Sequence, residues 1–200
     1  MAGTINSLVM DAARLTALDI ACRRGERLLF RGLSFALAQG EALQVSGPNG
    51  VGKSSLIRIL AGLLRPLSGK VERDGRVALL DERLALDGDL PLGRALAFWA
   101  QLDHSRPPLG YLGLEGLLDV PVRYLSAGQR KRAAVARLAG EPASIWLLDE
   151  PLNGLDRDAV GLCEALVAEH CAEGGIAVIA SHQPFALAGL RTLELGMPVA

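Results

Sequence analysis

Gly47-Pro48-Asn49-Gly50-Val51-Gly52-Lys53-Ser54 fits the pattern G-x-x-x-x-G-K-S without a gap. A loop of this kind cradles phosphate: glycines let successive backbone N–H groups turn inward, and the lysine adds a cation aimed at the same charge. Lys53 would reach the β- and γ-phosphates and Ser54 would ligate Mg²⁺, with Ser55 following on the phosphate side. Further along, Ile145-Trp146-Leu147-Leu148 ends in two acids, Asp149 and Glu150. Acids beyond the carboxyl end of an apolar strand stand where ligands bind in open α/β sheets. Asp149 is placed to hold Mg²⁺ through water, and Glu150 to polarise the water that attacks the γ-phosphate. A third element, Leu125-Ser126-Ala127-Gly128-Gln129-Arg130, opens a basic helix. Ser126 can cap free N–H groups there and Gly128 permits close approach, which makes a second anion site. One phosphate loop and a separate anion-binding helix start in the same chain suggest a nucleotide shared between two copies.

These groups need a scaffold that the sequence also outlines. Ala42 to Ser46 is a short apolar strand running into the phosphate loop, and Lys53 to Leu64 follows as a helix with Leu56, Ile59, Leu60, Leu63 and Leu64 on one face. Before them, Leu15 to Leu37 reads as strands, with Arg31-Gly32 joining Leu28–Phe30 to Leu33–Leu37. Val71 to Leu80 reads as a strand pair, and Leu90 to Leu102 and Leu112 to Leu118 as helical. In the last third, helix over Ala127 to Ala139 and Arg157 to Glu173 alternates with strand at Ile145 to Leu148 and Ile176 to Ala180, ahead of a short helix near Phe185 to Leu190. Apolar strands alternating with helices argue for an α/β fold with a mostly parallel sheet covered on both faces. Residues 15–200 read as a single domain, with Met1 to Arg14 expected to fray.

Composition narrows the partners. The 200-residue chain carries a formal charge of -1, so it lacks the broad basic field of non-specific nucleic-acid binding, and no nucleic-acid partner is expected. No apolar run approaches membrane-helix length, and the N-terminus has no secretory pattern. Cys22, Cys163 and Cys171 have no metal or disulfide spacing and read as reduced buried thiols. Half of the residues are hydrophobic, which leaves either a generous core or an apolar surface covered by a partner.

The phosphate loop alone does not choose between a kinase, a GTPase, an ATPase motor and an ABC protein. The L-S-x-G-Q string at Leu125–Gln129 resembles the signature of ABC-transporter nucleotide-binding domains. Asn153-Gly154-Leu155-Asp156 resembles their D-loop, and Ser181-His182 resembles their switch histidine. The resemblance covers the chain from about Leu15 to the end. It implies a P-loop NTPase fold with an N-terminal antiparallel β subdomain and a short helical signature subdomain over 90–140. It also implies ATP and Mg²⁺ as ligands, and a head-to-tail dimer sharing two ATP. Each ATP would lie between the Gly47–Ser54 loop of one copy and Ser126, Gly128 and Gln129 of the other. Glu150, His182 and Lys53 would then be catalytic, with His182 on the γ-phosphate and Asp156 coupling the two sites.

Cys22–Phe30, Leu33-Ser34-Phe35 and Ser181-His182-Gln183-Pro184 further resemble the ATP-binding subunits of the cytochrome c maturation system. That implies a motor for haem handling, peripheral on the cytoplasmic face of the inner membrane. Its integral membrane subunits would meet the Glu82 loop and the Leu90–Leu118 region. The sequence departs from the wider family twice. Arg24 stands where an aromatic residue usually stacks on adenine, and a guanidinium plane can also stack on a base. Glu82 stands where a glutamine usually touches Mg²⁺, which makes it a third candidate metal ligand beside Ser54 and Asp149. The ATPase motifs leave open a different small-molecule transporter, a soluble ABC ATPase acting on nucleic acid or ribosomes, and a non-catalytic nucleotide-binding module.

Overall fold

A computed structural model describes residues 13–82 and 85–196. Two sheets organise it. Strands β1 (Arg14–Arg24), β2 (Arg27–Ala38) and β4 (Ser68–Asp74) form an antiparallel sheet in the order β2-β1-β4. Strands β3 (Ala42–Ser46), β5 (Val77–Leu80), β6 (Ile145–Asp149), β7 (Ile176–Ala180) and β8 (Arg191–Glu194) form a parallel sheet in the order β5-β6-β7-β3-β8. The helices are α1 (Lys53–Leu60), α2 (Leu92–Asp103), α3 (Ala127–Gly140) and α4 (Arg157–Ala172). The fraying expected of Met1 to Arg14 concerns residues that, up to 12, lie outside those described; Ala13 is buried and Arg14 opens β1.

The apolar runs of β6 and β7 follow from burial on both faces. Ile145 and Leu147, with Ile176, Val178 and Ala180, point into a cluster with Leu56, Ile57 and Leu60 of α1. Trp146 and Leu148, with Ala177 and Ile179, point the opposite way, into a cluster with α3 and α4 that includes Val135, Leu138, Cys163 and Val167. Alternate side chains enter opposite layers, so a strand between two layers has no polar side to show. The loops at the carboxyl ends of β3, β6 and β7 thereby emerge together from a rigid floor.

Four expectations are corrected by this structure, and one strand is added to them. Arg31-Gly32 is not a joint between strands: β2 runs through it, and the pair forms a bulge where Ile20 faces Leu33 and Cys22 faces Phe30. Helix α1 stops at Leu60, not Leu64, because Gly62 takes a left-handed φ of 78° and the Arg73 guanidinium occupies the Ile59 and Leu60 carbonyls. Leu112 to Leu118 holds only a 3₁₀ turn over Glu115–Leu117, since Gly113 is left-handed and Leu112 and Leu114 bury themselves at an i, i+2 spacing. No helix forms near Phe185 to Leu190; the Ala186 N–H donates to Glu164 Oε1 instead, and Phe185 packs into the core. Strand β8 was not expected, because its polar Arg-Thr-Leu-Glu sequence shows no strand pattern and only its backbone pairs with β3.

Candidate nucleotide site

The phosphate loop occupies the turn from β3 to α1. Gly52, the residue before α1, has φ 119°, and a Cβ there would sit 3.1 Å from both Leu29 and the Phe30 ring. The loop is thus pressed against β2, and only glycine fits. Lys53 is 6% exposed, and its ammonium donates to the Gly47 carbonyl at 2.8 Å and lies 3.4 Å from that of Pro48. It also stands 3.9 Å from Glu150 Oε1. Ser54 Oγ donates to Asp149 Oδ1 at 3.1 Å, joining the start of α1 to the end of β6. His182, just past β7, places Nδ1 2.9 Å from Glu150 Oε2.

These contacts converge on an open cavity of about 550 Å³. Asn49, Gly50, Gly52, Lys53, Ser54 and Ser55 border it from the loop, and Glu82, Glu150, Asn153 and His182 from the opposite side. Arg24, Arg27 and Leu29 complete its lining. Both departures from the wider family, Arg24 and Glu82, therefore face the site. Sequence reasoning missed Arg27. The signal was available: Gly25-Glu26 is a two-residue hairpin turn, which pairs Arg24 with Arg27.

The charge balance fits a divalent cation. Burial pushes the Asp149 carboxyl above the usual range; its hydrogen bond from Ser54 opposes this, while nearby Glu150 and Glu82 add to it. A group of acids that raises its buried member's pKa is one that a cation relieves. Mg²⁺ keeps several waters and takes one or two protein oxygens beside phosphate oxygens, a role open to Ser54 Oγ and Asp149. Among the described residues no cluster of three or more His, Cys, Asp or Glu is built to hold a metal by itself.

Of the anticipated binding residues, Gly47, Pro48, Val51 and buried Asp149 do not line this cavity themselves but adjoin or bond to residues that do, whereas four others stand apart from it. Ser126, Gly128, Gln129 and Asp156 do not border it. Ser126 and Gln129 form a reciprocal capping box: Ser126 Oγ accepts from the Gln129 N–H at 3.1 Å, and Gln129 Oε1 accepts from the Ser126 N–H at 2.8 Å. Asp156 caps α4, its Oδ1 accepting from the Ala159 N–H at 2.8 Å. The start of α3 at Ser126 and Ala127 is exposed, as is Asp156.

A phosphate loop, a Ser–Asp pair, a Glu–His pair and an exposed signature helix occur here in one fold, and comparison with known proteins agrees. The ABC transporter family profile matches residues 30–153. The cytochrome c biogenesis ATP-binding export protein CcmA of Novosphingobium aromaticivorans is 60% identical over 186 residues, covering 93% of this chain and 97% of that protein. The chain belongs to the cytochrome c biogenesis ATP-binding export proteins of the ABC transporter family. The protein of the same description in Zymomonas mobilis is 50% identical over 187 residues, covering 92% of this chain and 85% of its own length. Among solved structures, an inward-facing metal-chelate type ABC transporter superposes with a TM-score of 0.77 at 25% identity, over 94% of this chain and 81% of that one. As a member of this family the chain binds ATP and is an ATPase. Proteins of the family work with membrane transporter subunits, and here no helix among the described residues is long and apolar enough to cross a membrane.

Proposed function

We propose that this ATPase is the motor subunit of a haem-handling transporter complex for cytochrome c maturation, with 15–200 acting as one nucleotide-binding domain. The observation that carries the catalytic part is the convergence of Lys53, Ser54, Glu150 and His182 on one cavity, with buried Asp149 accepting a hydrogen bond from Ser54. Lys53 leaves the loop carbonyls for the β- and γ-phosphates, which the backbone N–H groups of the Gly47–Ser54 loop, Pro48 excepted, surround. Ser54 and Asp149 hold Mg²⁺, with Glu82 on the same acidic side; the ion would neutralise phosphate charge and orient the γ-phosphoryl group. Glu150 takes a proton from the attacking water, and His182 steadies the carboxylate and faces the γ-phosphate. Arg24, which also lines the cavity, offers its guanidinium plane to the base.

The exposed start of α3 supports a head-to-tail dimer, in which Ser126, Gly128 and Gln129 of one copy close over the nucleotide of the other. Asp156, exposed beside the same helix, lies on the surface where it would couple the two sites. Transfer of work to integral membrane subunits places the chain on the cytoplasmic face of the inner membrane. Exposed Phe98 and Leu102, one turn apart on α2, offer apolar contact for those subunits. The experiment is purification of the chain with its membrane partners from cells carrying either the parent or Glu150→Gln. Partners identified as the cytochrome c maturation subunits, with cytochrome c loss in the variant, support the assignment. Partners from an unrelated transporter, or normal cytochrome c maturation in the variant, contradict it.

A further inference from the structure

Glu150 has a backbone conformation that side-chain-bearing residues avoid: its φ is 48°. Such a conformation persists only where the surroundings hold it, and it recurs at functional positions. The holding contacts are visible. The Glu150 N–H donates to the Ala180 carbonyl at 2.8 Å, and the Glu150 carbonyl accepts a long 3.4 Å bond from the Asn153 N–H. The same carbonyl accepts from the Lys131 ammonium at 3.1 Å. That last partner is a side chain from a different part of the molecule, the second turn of the signature helix α3.

Lys131 makes this hydrogen bond from among the acidic groups of the site. Burial lowers its pKa, while Asp149, Cys163, Glu82 and Glu150 pull it back up, so the partly buried cation is surrounded by the acids of the site. It does not border the nucleotide cavity. A second contact joins the same two elements. A Cβ on Gly128 would lie 2.8 Å from the Gly154 carbonyl, so the first turn of α3 rests directly on the loop that follows Glu150. The signature helix therefore touches the 150–154 segment twice, at its backbone.

We propose that Lys131 is a positioning residue for hydrolysis: it holds the Glu150 carbonyl, keeps the carboxylate turned toward His182 and the cavity, and ties the signature helix to the catalytic acid of its own copy. The consequence is a short route between two half-sites. The start of α3 faces the partner's nucleotide, and one turn later the same helix grips the group that acts on its own. This inference rests on Glu150 being the base.

The test compares Lys131→Met and Lys131→Arg in the full chain with MgATP. Loss of the grip misaligns the base without touching the nucleotide, so Lys131→Met should lower kcat at least about tenfold with KM for ATP within about twofold. Lys131→Arg, which keeps a cationic donor, should retain at least about half of the parental kcat. Should the Met variant fail to bind nucleotide, Lys131→Leu, which also lacks a donor, takes its place with the same expectation. A kcat within about twofold of the parent in the neutral variant, a rise in KM matching the loss, or equal losses in the Met and Arg variants would overturn the proposal. Glu150→Gln, assayed alongside, separates the two readings. Parental turnover in that variant removes the base assignment itself, whereas an inactive Glu150→Gln beside a fully active Lys131→Met removes only the role of Lys131.

Discussion

Lys53 and Glu150 already face each other across the phosphate cavity, 3.9 Å apart, while the lysine leans on the carbonyls of its own loop. A cation held by neutral carbonyls is free to exchange them for phosphate oxygens, which offer full charge. Around this pair the departures from the wider family can be tested singly. Arg24→Ala should weaken ATP and GTP binding alike, because a guanidinium plane supports any base without reading its edge; unchanged affinity for both by titration removes Arg24 from the base site. Glu82→Gln takes one negative charge from the surroundings of Asp149, so a higher Mg²⁺ concentration should be needed for half-maximal hydrolysis. An identical Mg²⁺ titration places Glu82 outside the metal's reach. At this scale the chemistry was legible in advance, because the phosphate loop, the acid pair and the histidine are each fixed by short local strings. Lys131 and Arg27 were not, since each gains its meaning from a contact made by folding: one with a backbone carbonyl 19 residues on, the other across a hairpin.

Elements were legible where hydrophobic period and burial agree, and obscure where one close contact overrides period. Helices α3 and α4 and strands β3, β6 and β7 follow their patterns closely. The stretches at Leu112–Leu118 and Phe185–Leu190 carry helix-like spacing, but left-handed Gly113 and Gly189 break them and tertiary bonds take over. One junction of elements makes a prediction of its own. His170, at the end of α4, stacks on Trp146 of β6 with ring centroids 4.0 Å apart and directs Nε2 to the Ile176 carbonyl at 3.3 Å. A Cβ on Gly175 would lie 2.2 Å from that ring, so the imidazole is enclosed from the β7 side as well. Burial pulls its pKa down from 6.5 to about 4, outweighing hydrogen bonds to the Ile176 and Ser144 backbone that raise it. The unfolded chain therefore takes up the proton first. The stability that neutral His170 contributes is complete above pH 6.5 and is lost as pH falls toward 4, with a magnitude on the order of 2–3 kcal/mol. His170→Phe keeps a flat ring against Trp146 and cannot be protonated. Thermal unfolding between pH 4 and 7 should therefore show a shallower fall in Tm for the variant than for the parent. Parallel curves would show that His170 does not control this range.

In the whole molecule the nucleotide cavity is open, and the signature residues that would close it lie elsewhere on the surface. In the proposed dimer neither copy holds a complete site by itself. What the sequence made readable was the presence of both halves, while the distance between them needed the fold: Ser126 is exposed, capped by Gln129, and turned to solvent. A site shared between two copies can be tested by complementation. Lys53→Ala destroys the phosphate half and Ser126→Arg blocks the signature half, so neither variant alone should hydrolyse ATP. Mixed, they form heterodimers that carry one site with both halves intact, and random pairing predicts recovery of roughly a quarter of parental turnover. Recovery on mixing is expected of a site shared between two copies. A mixture as inactive as its components, or full activity of Ser126→Arg by itself, would contradict it.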